Sequence, residues 1–132
     1  MKVYLAKFYL GEKVAYKVGL TKWYITEKRF ADEQYKVFDK IEIIDDIYIT
    51  HSNAMTARTR CEFVEGILKA VFKKNFRLES YFEKPDDYFT GLSGITEMFI
   101  LPQGMSEQYV IDIFRDVKKF VQREYESGKY YD

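Results

Sequence analysis

Cysteine, histidine and tryptophan occur once each in this chain of 132 residues, and proline twice. A lone Cys61 has no partner for an internal disulfide, so a reducing, cytoplasmic setting is expected. One cysteine and one histidine do not make a zinc-ligand cluster. No phosphate-binding loop and no G-x-G-x-x-G occurs, which leaves out the common nucleotide-cradling motifs. No run of 18 apolar residues exists, so no membrane span is expected. Lys7 interrupts the apolar start MKVYLAKFYL, which does not have the layout of a secretory leader. Net charge is also lacking: 21 Lys and Arg balance 21 Asp and Glu. A protein that coats nucleic acid by bulk attraction is thereby disfavoured, while a local basic site is not. Repeats, low-complexity tracts and Gly/Ser linkers are missing as well.

Aromatic residues are what the chain has in plenty. Twelve Tyr, 11 Phe and one Trp supply apolar surface to offset chain entropy. The length suits one domain, 1–132, with a sizeable core. Residues 2–10 read as a strand covered on both faces, 11–13 as a turn, and 14–20 as the returning strand of a hairpin. Thr26 is placed to cap a short helix over 27–35. A strand is expected over 37–44, with Asp45-Asp46 as a break and a further extended piece after it. Ser52 or Asn53 can cap a helix running to about Lys74, whose apolar stripe is Ala57, Cys61, Val64, Leu68 and Phe72, with Glu65 and Arg58 at its edge. Residues 76–90 read as loop and 91–94 as a flexible connection. Residues 97–101 read as a last strand, and 104–127 as a helix with Val110, Ile113, Phe114, Val117, Phe120 and Val121 on one side. The order β-β-α-β-α-β-α implies an α+β fold, a small mixed or antiparallel sheet opened by the hairpin and flanked by helices.

Single residues carry little chemistry. Cys61 falls on the apolar stripe and reads as a small buried hydrophobe. His51 precedes a helix and has no triad pattern around it. The informative stretch is 3–30, which runs Val3-Tyr4-Leu5, turns, continues Lys17-Val18-Gly19, and carries Arg29 within Glu27-Lys28-Arg29-Phe30. Further on, Glu65 is followed by Leu68 and Phe72, and Gly94-Ile95-Thr96-Glu97-Met98-Phe99 closes the pattern. Taken in this order the segments resemble the GIY-YIG nuclease superfamily, in particular a phage-type branch with a Tyr-Lys-x-Gly form and a closing Gly-x-Thr-Glu-x-Phe strand. The resemblance covers about residues 3–101.

It implies a small endonuclease that cleaves DNA with one divalent cation, Mg²⁺ or Mn²⁺, held by Glu65. Arg29 is the implied contact to the scissile phosphate, where its fork suits two oxygens. Tyr4 is the first candidate to position or deprotonate the attacking water. Lys17 stands where the family has its second tyrosine and offers charge instead. Tyr16 is one residue away and is counted with Lys22 as a candidate substrate contact, although strand alternation turns it to the opposite face from Lys17 and Gly19. Lys22 can add a phosphate contact, and Glu97 is peripheral. Affinity for DNA from such a neutral chain is expected to be weak and salt-sensitive. A second reading keeps the fold without catalysis, the aromatics serving as anchors for a host protein or nucleic acid. The segment GKYYD at 128–132 reads as a tail or interaction element.

Overall fold

The computed structural model describes residues 1–22, 30–31, 33–49, 52–75, 98–101 and 104–126. Three strands form one antiparallel sheet: β1 (Lys2–Leu10), β2 (Lys13–Thr21) and β3 (Lys40–Tyr48), in the order β2-β1-β3. A 3₁₀ turn spans Glu33–Val37, and two long helices follow the sheet, α1 (Ala54–Asn75) and α2 (Glu107–Glu126). The α+β class is as the sequence implied, and the sheet is wholly antiparallel.

The hairpin is tighter than expected. Its loop is Gly11-Glu12, with Gly11 at φ +59°, the II′ arrangement that matches strand twist. The Gly11 N–H donates to Asp39 Oδ2 at 2.6 Å, which ties the loop to the start of β3.

β3 differs from the expectation of a break at Asp45-Asp46. It continues through both aspartates to Tyr48. The register shifts instead: Leu5 faces Asp45, Ala6 faces Ile43, and Ile44 is the extra residue of a bulge. Aspartate is a poor strand former because its carboxylate competes for nearby backbone. Here both are neutralised. Asp45 takes Lys118 at 2.8 Å and Arg115 at 3.4 Å from α2, and Asp46 takes Lys2 at 3.4 Å. The expected last strand shrinks, among the described residues, to one bridge: Phe99 exchanges backbone bonds of 2.8 and 2.9 Å with Tyr16 on the open edge of β2. The expected helix over 27–35 lies partly outside the described residues. Its described C-terminal portion is 3₁₀.

Alternation along β1 divides the core into two layers. Val3 and Leu5 join Tyr16, Val18 and Ile47 with Cys61, Val64, Leu68 and Phe72 of α1, and with Val110, Phe114 and Val121 of α2. Tyr4, Ala6 and Phe8 face the other way, against Ala15, Tyr35, Phe38 and Met98. Both helices therefore cover one face of the sheet, and an aromatic layer covers the second. The α1 stripe is the expected one. Asn53 is the cap, its Oδ1 accepting from Met55 and Thr56 N–H at 2.9 and 3.2 Å. Ser106 begins α2 in the same way, its Oγ accepting from Tyr109 N–H at 3.3 Å. Phe120, expected on the α2 stripe, is exposed, because Val117 and Val121 already fill the seam. Among the described residues no helix is long and apolar enough to cross a membrane.

Removing a large core side chain tests this layering. Phe114→Ala is expected to cost about 3–5 kcal/mol through lost burial and a residual cavity. Denaturant unfolding with an unchanged m-value would read it.

Candidate functional site

β1 and β2 bring the two halves of the hairpin motif together. Tyr4 lies opposite Gly19 in the register. The tyrosine ring leans across the glycine: an ideal Cβ on Gly19 would stand 2.4 Å from Tyr4 Oη and 2.6 Å from Cζ. A side chain there would force the Tyr4 ring to move, so glycine is strongly favoured under it. The ring is completed on its outer side by Phe30, edge to face at 5.3 Å. Tyr4 is 0% exposed.

Lys17 shares this face. It pairs with Ala6, between Tyr16 and Val18 that point the other way, and is 3% exposed. Tyr4, Lys17 and Gly19 thus stand on the aromatic side of the sheet. Glu65 stands on α1, which covers the opposite side. Its carboxylate is half-buried at the edge of the stripe, 3.5 Å from the Lys69 ammonium one turn on. Arg29, His51, Gly94 and Glu97 lie outside the described residues. Of the expected site, then, the hairpin pair and Lys17 share a face, and Glu65 is not brought to them: the sheet lies between. Lys22 follows β2 directly, is exposed, and lines a pocket of about 470 Å³ with Arg58 at the start of α1.

Tyr16 faces the helices, as alternation requires, and its surroundings give it a structural task. Its ring stacks on Phe99 at 5.7 Å, and its hydroxyl donates to Glu107 Oε2 at 2.6 Å. Burial, reinforced by that carboxylate, pushes the phenol well above its ordinary value, so Tyr16 stays neutral. The Lys7 ammonium binds the same Glu107 oxygen and lies 4.9 Å from the Tyr9 ring centroid. This cluster was not expected from sequence. Its only local signals are a lysine inside an apolar strand and a glutamate opening a helix.

Two carboxylates thus pin α2 to the sheet, Glu107 at its start and Asp45 under its middle. Burial would raise both pKa values. The bonds from Lys7 and Tyr16 to Glu107, and from Lys118 and the Asp46 N–H to Asp45, outweigh it and hold both below the usual range. A depressed carboxylate pKa contributes stability above the unfolded-state value, and that stability disappears as pH falls through the folded value. Stability is therefore expected to decline below about pH 4, and the loss should be smaller in Glu107→Gln. Thermal melts at pH 7 and pH 3 check this.

Burial pushes the Cys61 thiol up to about 11, in keeping with a packing residue. Among the described residues no three His, Cys, Asp or Glu side chains come together to hold a metal. Comparison with known protein families, with curated proteins and with solved structures finds no match for the chain.

Proposed function

We propose that the protein is a small GIY-YIG-like endonuclease that hydrolyses DNA phosphodiester bonds with one divalent cation. The observation that supports this reading best is the seat of Tyr4 on Gly19. The resemblance rests on one strand motif carrying Tyr4 and another ending in Gly19, and the register sets those two residues opposite each other, the tyrosine ring lying where a side chain at 19 would be. A shared spatial reason for both motifs is harder to reach by coincidence than either motif alone.

In this reading Glu65 supplies the hard oxygen donor. Mg²⁺ is commonly held by one or two carboxylates and several waters, so a single glutamate fits without a cluster. A cation held by Glu65 would compete with the Lys69 ammonium for the carboxylate. Arg29 and Lys22 are assigned to phosphate oxygens, and Tyr4 to the attacking water. The cation supplies charge neutralisation at the cleaved phosphate.

A second reading has its own observation. Tyr4 and Lys17 are both buried, on the face that α1 does not cover. A tyrosine closed off from water suits a protein of the same build that binds a partner without cutting. Incubation of supercoiled plasmid with the protein in Mg²⁺, Mn²⁺ or EDTA separates the two. Nicking that needs the cation supports the nuclease. Intact plasmid in all three, across a range of DNA forms, overturns it in favour of the binding protein.

A further inference from the structure

The pocket beside Lys22 is built unlike the rest of the surface. It lies where three chain segments end side by side: Met1 before β1, Lys22 after β2 and Ile49 after β3. The first turn of α1 closes it with Ala54, Met55, Ala57 and Arg58. Its floor is apolar, since Ile49 and Ala57 are buried and small or branched. Its rim is cationic, and no carboxylate occurs among its described lining residues. Arg58 gives its Nε–H to Glu62 Oε1 at 2.8 Å, an exposed i, i+4 pair of the weak surface kind. The helix end contributes little directly, because Asn53 already takes its first N–H groups. The charge is that of the side chains.

We propose that this pocket holds a backbone phosphate of a DNA strand, with Lys22 and Arg58 as its two cationic contacts and the apolar floor against the adjoining sugar. The proposal rests on the nuclease reading for its choice of DNA. A guanidinium fork and an ammonium together match the non-bridging oxygens of a phosphodiester. The volume of about 470 Å³ admits a nucleotide unit rather than an ion alone.

The place of Arg58 on α1 adds a scale. Arg58 and Glu65 are seven residues apart, two helical turns, and so lie on the same side of the helix about 10 Å apart along its axis. A strand contact at Arg58 would therefore lie two helical turns from Glu65, on the same side of α1.

Fluorescence anisotropy with a labelled 16-base-pair duplex in EDTA, titrated from 50 to 300 mM salt, tests this without cleavage. The double variant Lys22→Ala/Arg58→Ala is expected to bind about tenfold or more weakly at 50 mM salt. The slope of log K against log salt should fall in magnitude by about 1, one phosphate contact being lost. Arg58→Lys should retain most of the affinity. Lys119→Ala/Arg123→Ala, which removes two exposed cations from α2, should keep the wild-type slope, and circular dichroism melts confirm that each variant is folded. Wild-type affinity and slope in the pocket variant overturn the proposal, as does an equal loss in the α2 variant, or no duplex binding by the wild type. The two proposals fail separately. Pocket-dependent binding without cleavage in Mg²⁺ or Mn²⁺ sinks the nuclease and keeps the pocket. Cleavage with an unchanged slope in the pocket variant does the reverse.

Discussion

Gly19→Ala is expected to destabilise the protein by about 2–3 kcal/mol, lowering the thermal midpoint on the order of 5–10 °C. A new Cβ at 2.4 Å from Tyr4 Oη and 3.0 Å from Cε2 forces the ring to move. Movement is costly because Tyr4 is buried on the central strand and its ring is held by Phe30 at 5.3 Å, which in turn packs on Phe8 and Tyr35. Tyr4→Phe does not relieve the clash, since Cζ remains 2.6 Å away. Tyr4→Leu does remove the aromatic ring. A double-mutant cycle should therefore show Gly19→Ala costing much less in the Tyr4→Leu background, a coupling of about 1 kcal/mol or more. Equal cost in both backgrounds would mean that the ring and the glycine do not meet as described.

Glu65→Ala is expected to lower divalent-dependent DNA cleavage on the order of 100-fold or more, with little change in stability. The two effects separate because of where Glu65 sits. Its carboxylate lies beside the apolar stripe rather than in it, and its ion pair with Lys69 at 3.5 Å is of the i, i+4 kind, worth about 0.3–0.5 kcal/mol. The neighbours Val64 and Leu68 carry the packing of that turn. Losing the sole proposed donor to the cation removes the charge that offsets the developing negative phosphate, an effect on the scale of several kcal/mol in the transition state. Glu65→Gln keeps the shape and loses the charge, and should be as inactive as the alanine. Lys69→Ala should not abolish cleavage, because the ammonium is a neighbour of the carboxylate and not a donor to the cation.

The sheet hub was legible because β1 is apolar at nearly every position and two residues suffice to reverse the chain after it. The α1 stripe was legible because Ala57, Cys61, Val64, Leu68 and Phe72 keep one helical face. The continuation of β3 through Asp45-Asp46 was not legible, since Asp45 is compensated by Arg115 and Lys118, 70 and 73 positions away, and Asp46 by Lys2, 44 positions away. Local composition does not contain that information. The Lys7–Glu107–Tyr16 cluster was hidden for the same reason: it joins β1, β2 and α2. At the candidate site, alternation gave the split between Tyr16 and Lys17. Period alone states which residues share a face, however, and not which face a helix will cover. That is why the placement of α1 opposite Tyr4 emerged only from the packing of Val3, Leu5 and Val18 against Cys61, Val64 and Leu68.

The central claim is that this hairpin-and-helix domain cuts DNA through Glu65. The most direct measurement is a nicking time course on supercoiled plasmid, wild type and Glu65→Ala side by side, in Mg²⁺ and in EDTA. The expected result is nicked plasmid accumulating only with wild type and Mg²⁺. Equal nicking by the two proteins, or nicking that persists in EDTA, would contradict it.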